Sequence, residues 1–109
     1  MLGRMTDYVL IFWTAANKEE AKRVASLLIE KGLVACATII PHIESLFLWK
    51  GVIEETVEAK IILKSKKEKF FQITEVIKEN ASYEVSEILM VPIVQGSKDY
   101  LDWIENSLN

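Results

Sequence analysis

Two long β-rich segments meet at Lys50-Gly51, and their length constrains the fold of this 109-residue chain more than any other feature. The first runs from Leu33 to Trp49 and the second starts at Val52, so the pattern predicts a hairpin with a two-residue turn. At ~3.3 Å per residue, about 13 residues of strand extend roughly 43 Å. A compact domain of this size has a diameter of about 35 Å. We therefore expect the hairpin to project beyond the rest of the domain.

The end of this hairpin reads Leu46-Phe47-Leu48-Trp49, with no charge before Lys50. An exposed apolar ribbon with unpaired edges promotes aggregation unless another subunit covers it. We therefore predict a symmetric oligomer in which each hairpin pairs with the next sheet. Two alternatives stay open. Curvature of the hairpin would place these side chains on the domain's own helices, or the end would dip into a membrane, although no basic cluster accompanies it.

The first part of the chain predicts a strand followed by a helix. A continuous apolar run from Tyr8 to Trp13 is typical of a central strand buried on both faces. Asn17 is a candidate helix cap, with Glu20 three residues later as in a capping box, and Gly32 ends the helix. The apolar positions follow helical spacing: Ala21, Val24, Ala25 and Leu28.

The second half repeats the alternation of strand and helix. Pro41 indicates a bulge or edge position in the first hairpin strand, since proline cannot donate to a ladder. Ser65 with Glu68 predicts a second capping box, and the helix to about Asn80 buries Phe70, Ile73 and Ile77. A fourth strand covers Ile88 to Val94, and Ser97 caps a last helix. The order predicts an α+β fold: a single ferredoxin-like domain over residues 1–109, β-α-β-β-α-β plus a C-terminal helix, with helices on one face of an antiparallel sheet.

Composition excludes several classes of partner. The formal net charge is −3 and arginine occurs only at Arg4 and Arg23, so the basic stripe of a nucleic-acid binder is missing. No apolar run reaches the roughly 18 residues that span a bilayer, which disfavours stable membrane insertion. The single cysteine, Cys36, rules out an intrachain disulfide and fits a reducing compartment. The first apolar run is short for a secretory signal, so we expect a cytoplasmic protein.

Two groups of residues are candidate sites. Cys36 and His42 are the only thiol and imidazole, but roughly 20 Å of strand separates them, so a soft-metal site needs convergence of Cys36 across subunits. The alternatives are a buried apolar cysteine and a surface histidine. A ligand cleft is predicted from Trp49, Glu58, Lys64, Tyr83 and Glu84, whose carboxylates, ammonium and phenol suit a cation, a small anion or acid–base work. The alternative there is a salt-bridged sheet rim.

Two other functions fit the same order of elements poorly. An acylphosphatase-type enzyme wants an arginine in a phosphate-cradling loop after the first strand, and that loop reads Thr14-Ala15-Ala16-Asn17. An RNA-recognition module displays aromatic and basic residues on its central strands, whereas the third strand shows Glu58, Lys60, Ile62 and Lys64. We expect a binding protein and no enzyme.

Several spaced motifs resemble the CutA family of divalent-cation tolerance proteins. They are Leu33-Val34-Ala35-Cys36-Ala37-Thr38-Ile39-Ile40-Pro41, Leu48-Trp49-Lys50-Gly51-Val52-Ile53-Glu54, Glu58 with Ile62-Leu63-Lys64-Ser65, Tyr83-Glu84-Val85-Ser86-Glu87-Ile88, and Tyr100-Leu101 with Trp103-Ile104. The resemblance covers about Tyr8 to Leu108 in the family's order. It implies a ferredoxin-like subunit, a homotrimer held by the long hairpin, and a role in tolerance to copper and other divalent cations.

The chain also departs from the family pattern. Ala81-Ser82 stands where the family has His-Pro, Ser86 replaces a second proline, and Leu48 replaces the first aromatic of a Trp-Trp pair. The missing histidine removes an imidazole ligand. We therefore expect weak Cu(II) or Zn(II) binding that needs the assembled oligomer, with an ion or small ligand held at inter-subunit clefts. The alternative is a structural or signalling trimer of the metabolite-binding PII type with no direct metal binding.

Overall fold

The computed structural model describes residues 7–109 as four strands and three α-helices. In chain order these are β1 (Tyr8–Ala15), α1 (Lys18–Glu30), β2 (Cys36–Trp49), β3 (Val52–Lys66), α2 (Phe70–Asn80), β4 (Ile88–Pro92) and α3 (Lys98–Ser107). A 3-10 turn at Lys67–Lys69 leads into α2. The part of the single-domain prediction that concerns residues 1–6 lies outside the described residues.

The sheet has the order β2-β3-β1-β4 with every pair antiparallel, which confirms the ferredoxin-like α+β prediction. Lys50 and Gly51 have φ angles of 51° and 83°, so both turn residues are left-handed, as a two-residue type I′ hairpin turn requires. The register shifts between Ile40 and Ile43, which places one extra residue in β2. Pro41 lies inside this bulge, as predicted.

The main core lies between the sheet and helices α1 and α2. Alternate residues of β1 (Val9, Ile11, Trp13 and Ala15) point into it and pair with inward residues of β3. The predicted apolar face of α1 is buried there, together with Ile73 and Ile77 of α2, while Phe70 is only partly buried. The apolar residues that alternate along the strands therefore pack against the apolar residues at helical spacing on α1 and α2, on one face of the sheet.

The two predicted capping boxes have different outcomes. The side chain of Asn17 accepts from the backbone N–H of Glu20 at 2.8 Å, and Gly32 follows the last turn of α1 with a φ of 71°. The capping box at Ser65 was wrong. Ser65 belongs to β3, pairs with Val9, and donates its buried hydroxyl to the carbonyl oxygen of Leu33 at 2.6 Å. Ladder pairing prevailed over the local capping pattern because the strand continues to Lys66.

The opposite face of the sheet is only partly covered, which corrects two expectations. Helix α3 packs against the end of this face, where Tyr8 is buried with Leu101 and Ile104. The helices therefore do not all lie on one side. Leu10 and Phe12, on the same face as Tyr8, are only half-buried, so among residues 7–109 β1 is not fully buried on both faces. Helix α3 spans only ten residues, so it is too short to cover the rest of this sheet face.

The hairpin projects as expected, and the described chain measures 51 × 26 × 22 Å along its principal axes. Its apolar side chains do not fold back onto the helices. Leu46, Leu48 and Ile53 are exposed by 70%, 69% and 74%. The alternative in which curvature buries them within their own subunit is therefore wrong.

Candidate functional site

A cleft of about 770 Å³ lies between the hairpin and the loop that joins α2 to β4. Because of the bulge in β2, Ile43, Ser45, Phe47 and Trp49 lie on the same sheet face as Glu58. The remaining lining is Thr14, Leu46, Glu54, Glu55, Thr56, Lys60, Tyr83, Glu84, Val85 and Glu87. Trp49, Glu58, Tyr83 and Glu84, four of the five residues predicted for a ligand cleft, thus surround one space.

A short hydrogen bond joins the two sides of this cleft. The phenol of Tyr83 donates to Oε2 of Glu58 at 2.6 Å, and the Glu58 side chain is buried, with 6% exposure. Burial, followed by the hydrogen bond and the charge of Glu58, raises the pKa of Tyr83 to about 12. Tyr83 is therefore a protonated hydrogen-bond donor at neutral pH.

Two further carboxylates fix the loop over the cleft. Buried Glu20 accepts from the backbone N–H of Ala16 at 3.1 Å and from that of Ser82 at 2.9 Å. Glu87 accepts from the Thr14 hydroxyl and from the Lys60 ammonium, both at 2.7 Å. These bonds attach the loop to β1, β3 and the start of α1, so they position Tyr83 and Glu84 between them.

The cleft is predominantly negative. Lys60 is paired with Glu87, and the hydrogen bonds from Lys60 and Thr14 hold the pKa of Glu87 below its usual value. Four carboxylates line the rest of the cleft, and no cation among the described lining residues pairs with them: Glu54, Glu55, Glu58 and Glu84. The arrangement attracts cations and repels anions.

Lys64 does not line this cleft, which corrects its predicted place beside Glu58. The two residues share a face of β3, but they are six positions apart along the strand, which is about 20 Å. The ammonium of Lys64 donates to the Thr38 hydroxyl at 2.6 Å and lies 3.9 Å from Sγ of Cys36. Alternation along the strand predicts the shared face of Lys64 and Glu58 but not the distance between them.

Cys36 is half-buried at the start of β2, close to α3. Burial and the neighbouring thiol raise the pKa of Tyr100, which places that phenol beside Cys36 as well. His42 is exposed in the bulge. Within residues 7–109, no three His, Cys, Asp or Glu side chains come close enough together to hold a metal ion. The ligand set expected for copper or zinc is therefore not assembled among these described residues.

Sequence reasoning did not select Lys60 or Glu87 for the site, and it saw Glu20 only as a capping residue. Lys60 was detectable, because it shares a face with Glu58 by the period of two. Glu87 lies in the motif that carries Tyr83 and Glu84, but its partners, Lys60 and Thr14, are on β3 and β1. No local pattern indicates such a long-range contact.

The sheet order, the elongated hairpin and the acidic cleft define a ferredoxin-like domain that carries a long β-ribbon. Its sequence matches the family model described as CutA1 divalent ion tolerance protein over residues 9–107. The chain belongs to this family of divalent-cation tolerance proteins, as the motif resemblance indicated.

Relatives occur in archaea, bacteria and plants. The divalent-cation tolerance protein CutA of Archaeoglobus fulgidus is 42% identical over 98 residues, which cover 90% of this chain and 95% of the relative. The chloroplastic protein CutA 1 of Oryza sativa is 36% identical over 99 residues, which cover 91% of this chain and 56% of the relative. The chain thus spans just over half the length of the plant proteins it matches.

Solved structures agree with the fold. A structure from Archaeoglobus fulgidus, described as a periplasmic divalent cation tolerance protein CutA, has a TM-score of 0.91 at 39% identity and covers 94% of this chain and 99% of its own. CutA1 from Oryza sativa has a TM-score of 0.92 at 34% identity, covering 97% and 98%. Within residues 7–109, no helix is both long enough and apolar enough to cross a bilayer. The predicted cytoplasmic location stays a prediction.

Proposed function

We propose that this CutA-family chain works as a homotrimer whose clefts, closed by neighbouring subunits, bind an ion or small ligand in the response to divalent cations such as copper. The observation that carries the proposal is the exposed apolar hairpin. Its distal half carries seven large hydrophobic side chains that are at least 40% exposed: Leu46, Phe47, Leu48, Trp49, Val52, Ile53 and Val57. Within residues 7–109 these side chains are left uncovered.

Edges and faces of the sheet support the same assembly. Strands β2 and β4 each pair with one neighbour, so each presents an unpaired row of backbone groups among the described residues. On the sheet face opposite α1 and α2, Leu89 and Val91 are exposed and Leu10 is half-buried. Closed cyclic symmetry lets each ribbon cover the next subunit's edge and face without leaving a free end.

Light scattering at low micromolar concentration tests the trimer. We expect a mass three times that of the 12.5 kDa chain. A mass near 12.5 kDa would contradict the assembly, and with it the closed clefts.

A binding role suits the cleft better than catalysis. Tyr83, whose pKa is about 12, is unsuited to act as a base at neutral pH, and its hydrogen bond instead fixes Glu58. The loop after β1 lacks the arginine of an acylphosphatase. We therefore propose that the protein is not an enzyme.

Direct transition-metal binding is expected to be weak and to require the oligomer. The residues of one subunit do not fit copper, because Cys36 has a lysine ammonium as its neighbour and His42 lies further along the strand. Calorimetric titration of the oligomer with Cu(II) and Zn(II) tests this, with Cys36→Ser and His42→Ala as variants. Submicromolar affinity abolished by either substitution would contradict the expectation.

A second candidate function is a signalling or structural trimer that binds a metabolite and no metal. The aromatic side chains of Phe47 and Trp49 in the cleft favour it, since a bare metal ion makes no use of apolar walls. Calorimetry distinguishes the two candidates: the first predicts heat from metal that depends on the oligomer, and the second predicts none. For both we propose a cytoplasmic location.

A further inference from the structure

Glu55 is a carboxylate surrounded by exposed apolar side chains on one face of the hairpin. Alternation places Ile53 and Val57 on the same face of β3, and Leu46 lies opposite Glu55 on β2. All three apolar side chains are more than half exposed. Glu44 lies on this face too, at the end nearer the domain. Within residues 7–109 Glu55 makes no hydrogen bond or ion pair, so a neighbour that covers this face buries a carboxylate together with apolar surface.

Lys64 occupies a similar position on the sheet face opposite α1 and α2. Pairing across the sheet places it in one row with Cys36, Leu10 and Val91. Its half-buried ammonium donates to the Thr38 hydroxyl, and no carboxylate of the described chain pairs with it. A neighbour that covers this row therefore buries an ammonium that still lacks an opposite charge.

The other two lysines of this sheet face are already neutralised within the subunit. Lys60 pairs with Glu87 at 2.7 Å, and Lys66 pairs with Glu105 at 3.0 Å. Among the described residues of the face, Lys64 is thus the lysine that can receive a carboxylate from outside.

Charge and apolar surface on the two faces are complementary. Residues 43–58 of the hairpin carry four carboxylates and one lysine, whereas the sheet face presents Lys64 beside exposed apolar side chains such as Leu89 and Val91. Burying either charge alone is costly, and an ion pair of good geometry offsets much of that cost. A second copy of this chain supplies both the apolar surface and the opposite charge.

We propose that the hairpin of one copy lies across the sheet face of the next, with the Glu55 carboxylate on the Lys64 ammonium. The inference rests on the proposed function, since it names the two surfaces that meet in the homotrimer. Cyclic symmetry repeats the pair at every interface, because each chain supplies one of each group. Apolar contacts tolerate sliding, and the charge pair fixes the register of the hairpin on the face.

The two groups do not meet within one chain. They lie nine positions apart on β3, which is about 30 Å, and their side chains point to opposite faces of the strand. Any energetic coupling between residues 55 and 64 therefore arises between copies.

Neutralising Glu55 tests the contact, with sedimentation equilibrium of the full chain as the measurement. Glu55→Gln is expected to lower the association constant by at least about tenfold per interface, or about 10³-fold for a cyclic trimer, because Lys64 is left buried without a partner. Glu54→Gln is the matched control. It removes the same charge from the next residue, whose side chain lies on the other face of the hairpin, and is expected to change the constant by less than about twofold.

Charge reversal tests the pairing itself. Glu55→Lys and Lys64→Glu are each expected to weaken association more than Glu55→Gln does, because like charges then meet at every interface. The double variant that carries both changes is expected to recover at least about tenfold over either single variant. If Lys64→Glu fails to fold, judged by circular dichroism, the comparison of Glu55→Gln with Glu54→Gln still decides, since both side chains are exposed.

The outcomes separate this inference from the proposed function. A trimer that is weakened by Glu55→Gln, unaffected by Glu54→Gln and recovered by the double reversal supports both. A trimer in which Glu55→Gln and Glu54→Gln associate equally, or in which the double reversal recovers nothing, overturns the contact and leaves the trimer standing. A wild-type monomer of 12.5 kDa overturns the proposed function, and the contact with it.

Discussion

Ile53→Asp is expected to dissociate the trimer, although it removes almost no contact within one subunit. Ile53 is 74% exposed, so in a monomer the substitution costs at most about 0.5 kcal/mol. Complete burial of an isoleucine side chain contributes about 1.5–3 kcal/mol, and roughly three quarters of that area is still available for burial by a neighbour. The loss is therefore about 1–2 kcal/mol per copy, before the cost of burying a carboxylate.

A cyclic trimer repeats this loss three times, which gives about 3–6 kcal/mol for the whole assembly and a fall of about 10²–10⁴ in its association constant. Sedimentation equilibrium over a range of concentrations measures that constant. Phe71→Asp is the matched control, since Phe71 is 73% exposed but lies on α2, away from the hairpin. Equal association constants for the two variants would refute the assignment of the hairpin to the interface.

Three further predictions concern individual side chains. Trp49→Ala is expected to lower the denaturation midpoint more than Trp103→Ala, because only Trp49 lies on the hairpin. The two side chains are similarly exposed in one subunit, by 40% and 46%. Equal midpoints for the two variants would contradict this prediction. Tyr83→Phe is expected to cost about 1 kcal/mol at pH 7. A raised pKa stabilises the protein below the ordinary value of 10.0, so this difference shrinks as the pH rises toward about 12, measured by urea unfolding at each pH. Hydrogen bonds from Lys66 and Tyr8 lower the pKa of Glu105. A lowered pKa stabilises the folded protein above the ordinary value of 4.5. Glu105→Gln is therefore expected to cost less than about 1 kcal/mol at neutral pH, since the group is partly exposed. This cost vanishes as the pH falls below 4.5, which unfolding measured at a series of acid pH values tests.

Local rules predicted the parts of the fold that depend on neighbouring residues. Lys50-Gly51 forms the turn with both residues in left-handed angles, which Gly51 adopts without steric cost. Asn17 caps α1 through its own side chain. Pro41 marks the bulge because it has no N–H to donate. Ser65 shows where local rules fail. Its capping pattern is real in sequence, but pairing with Val9 and the bond to the Leu33 carbonyl, across the fold, decide its structure.

In the candidate site too, local patterns predicted some features correctly, and contacts between distant parts of the chain were missed. Glu58, Tyr83 and Glu84 were selected from their motifs, and the fold brings them together with Trp49 around one cleft. Lys64 was placed there because it shares a face with Glu58, but alternation gives the face of a strand and not the position along it. The bonds of Glu20 and Glu87 join elements up to 73 residues apart in the chain, beyond any pattern of neighbouring residues.

Oligomeric state is the central claim, and native mass spectrometry with and without Cu(II) and Zn(II) tests it most directly. The same spectrum reports the number of subunits and the number of bound metal ions. We predict a trimer of the 12.5 kDa chain as the dominant species, with at most partial metal occupancy that disappears in any monomer present. A dominant monomer, or a monomer that retains a full complement of metal, would contradict the account.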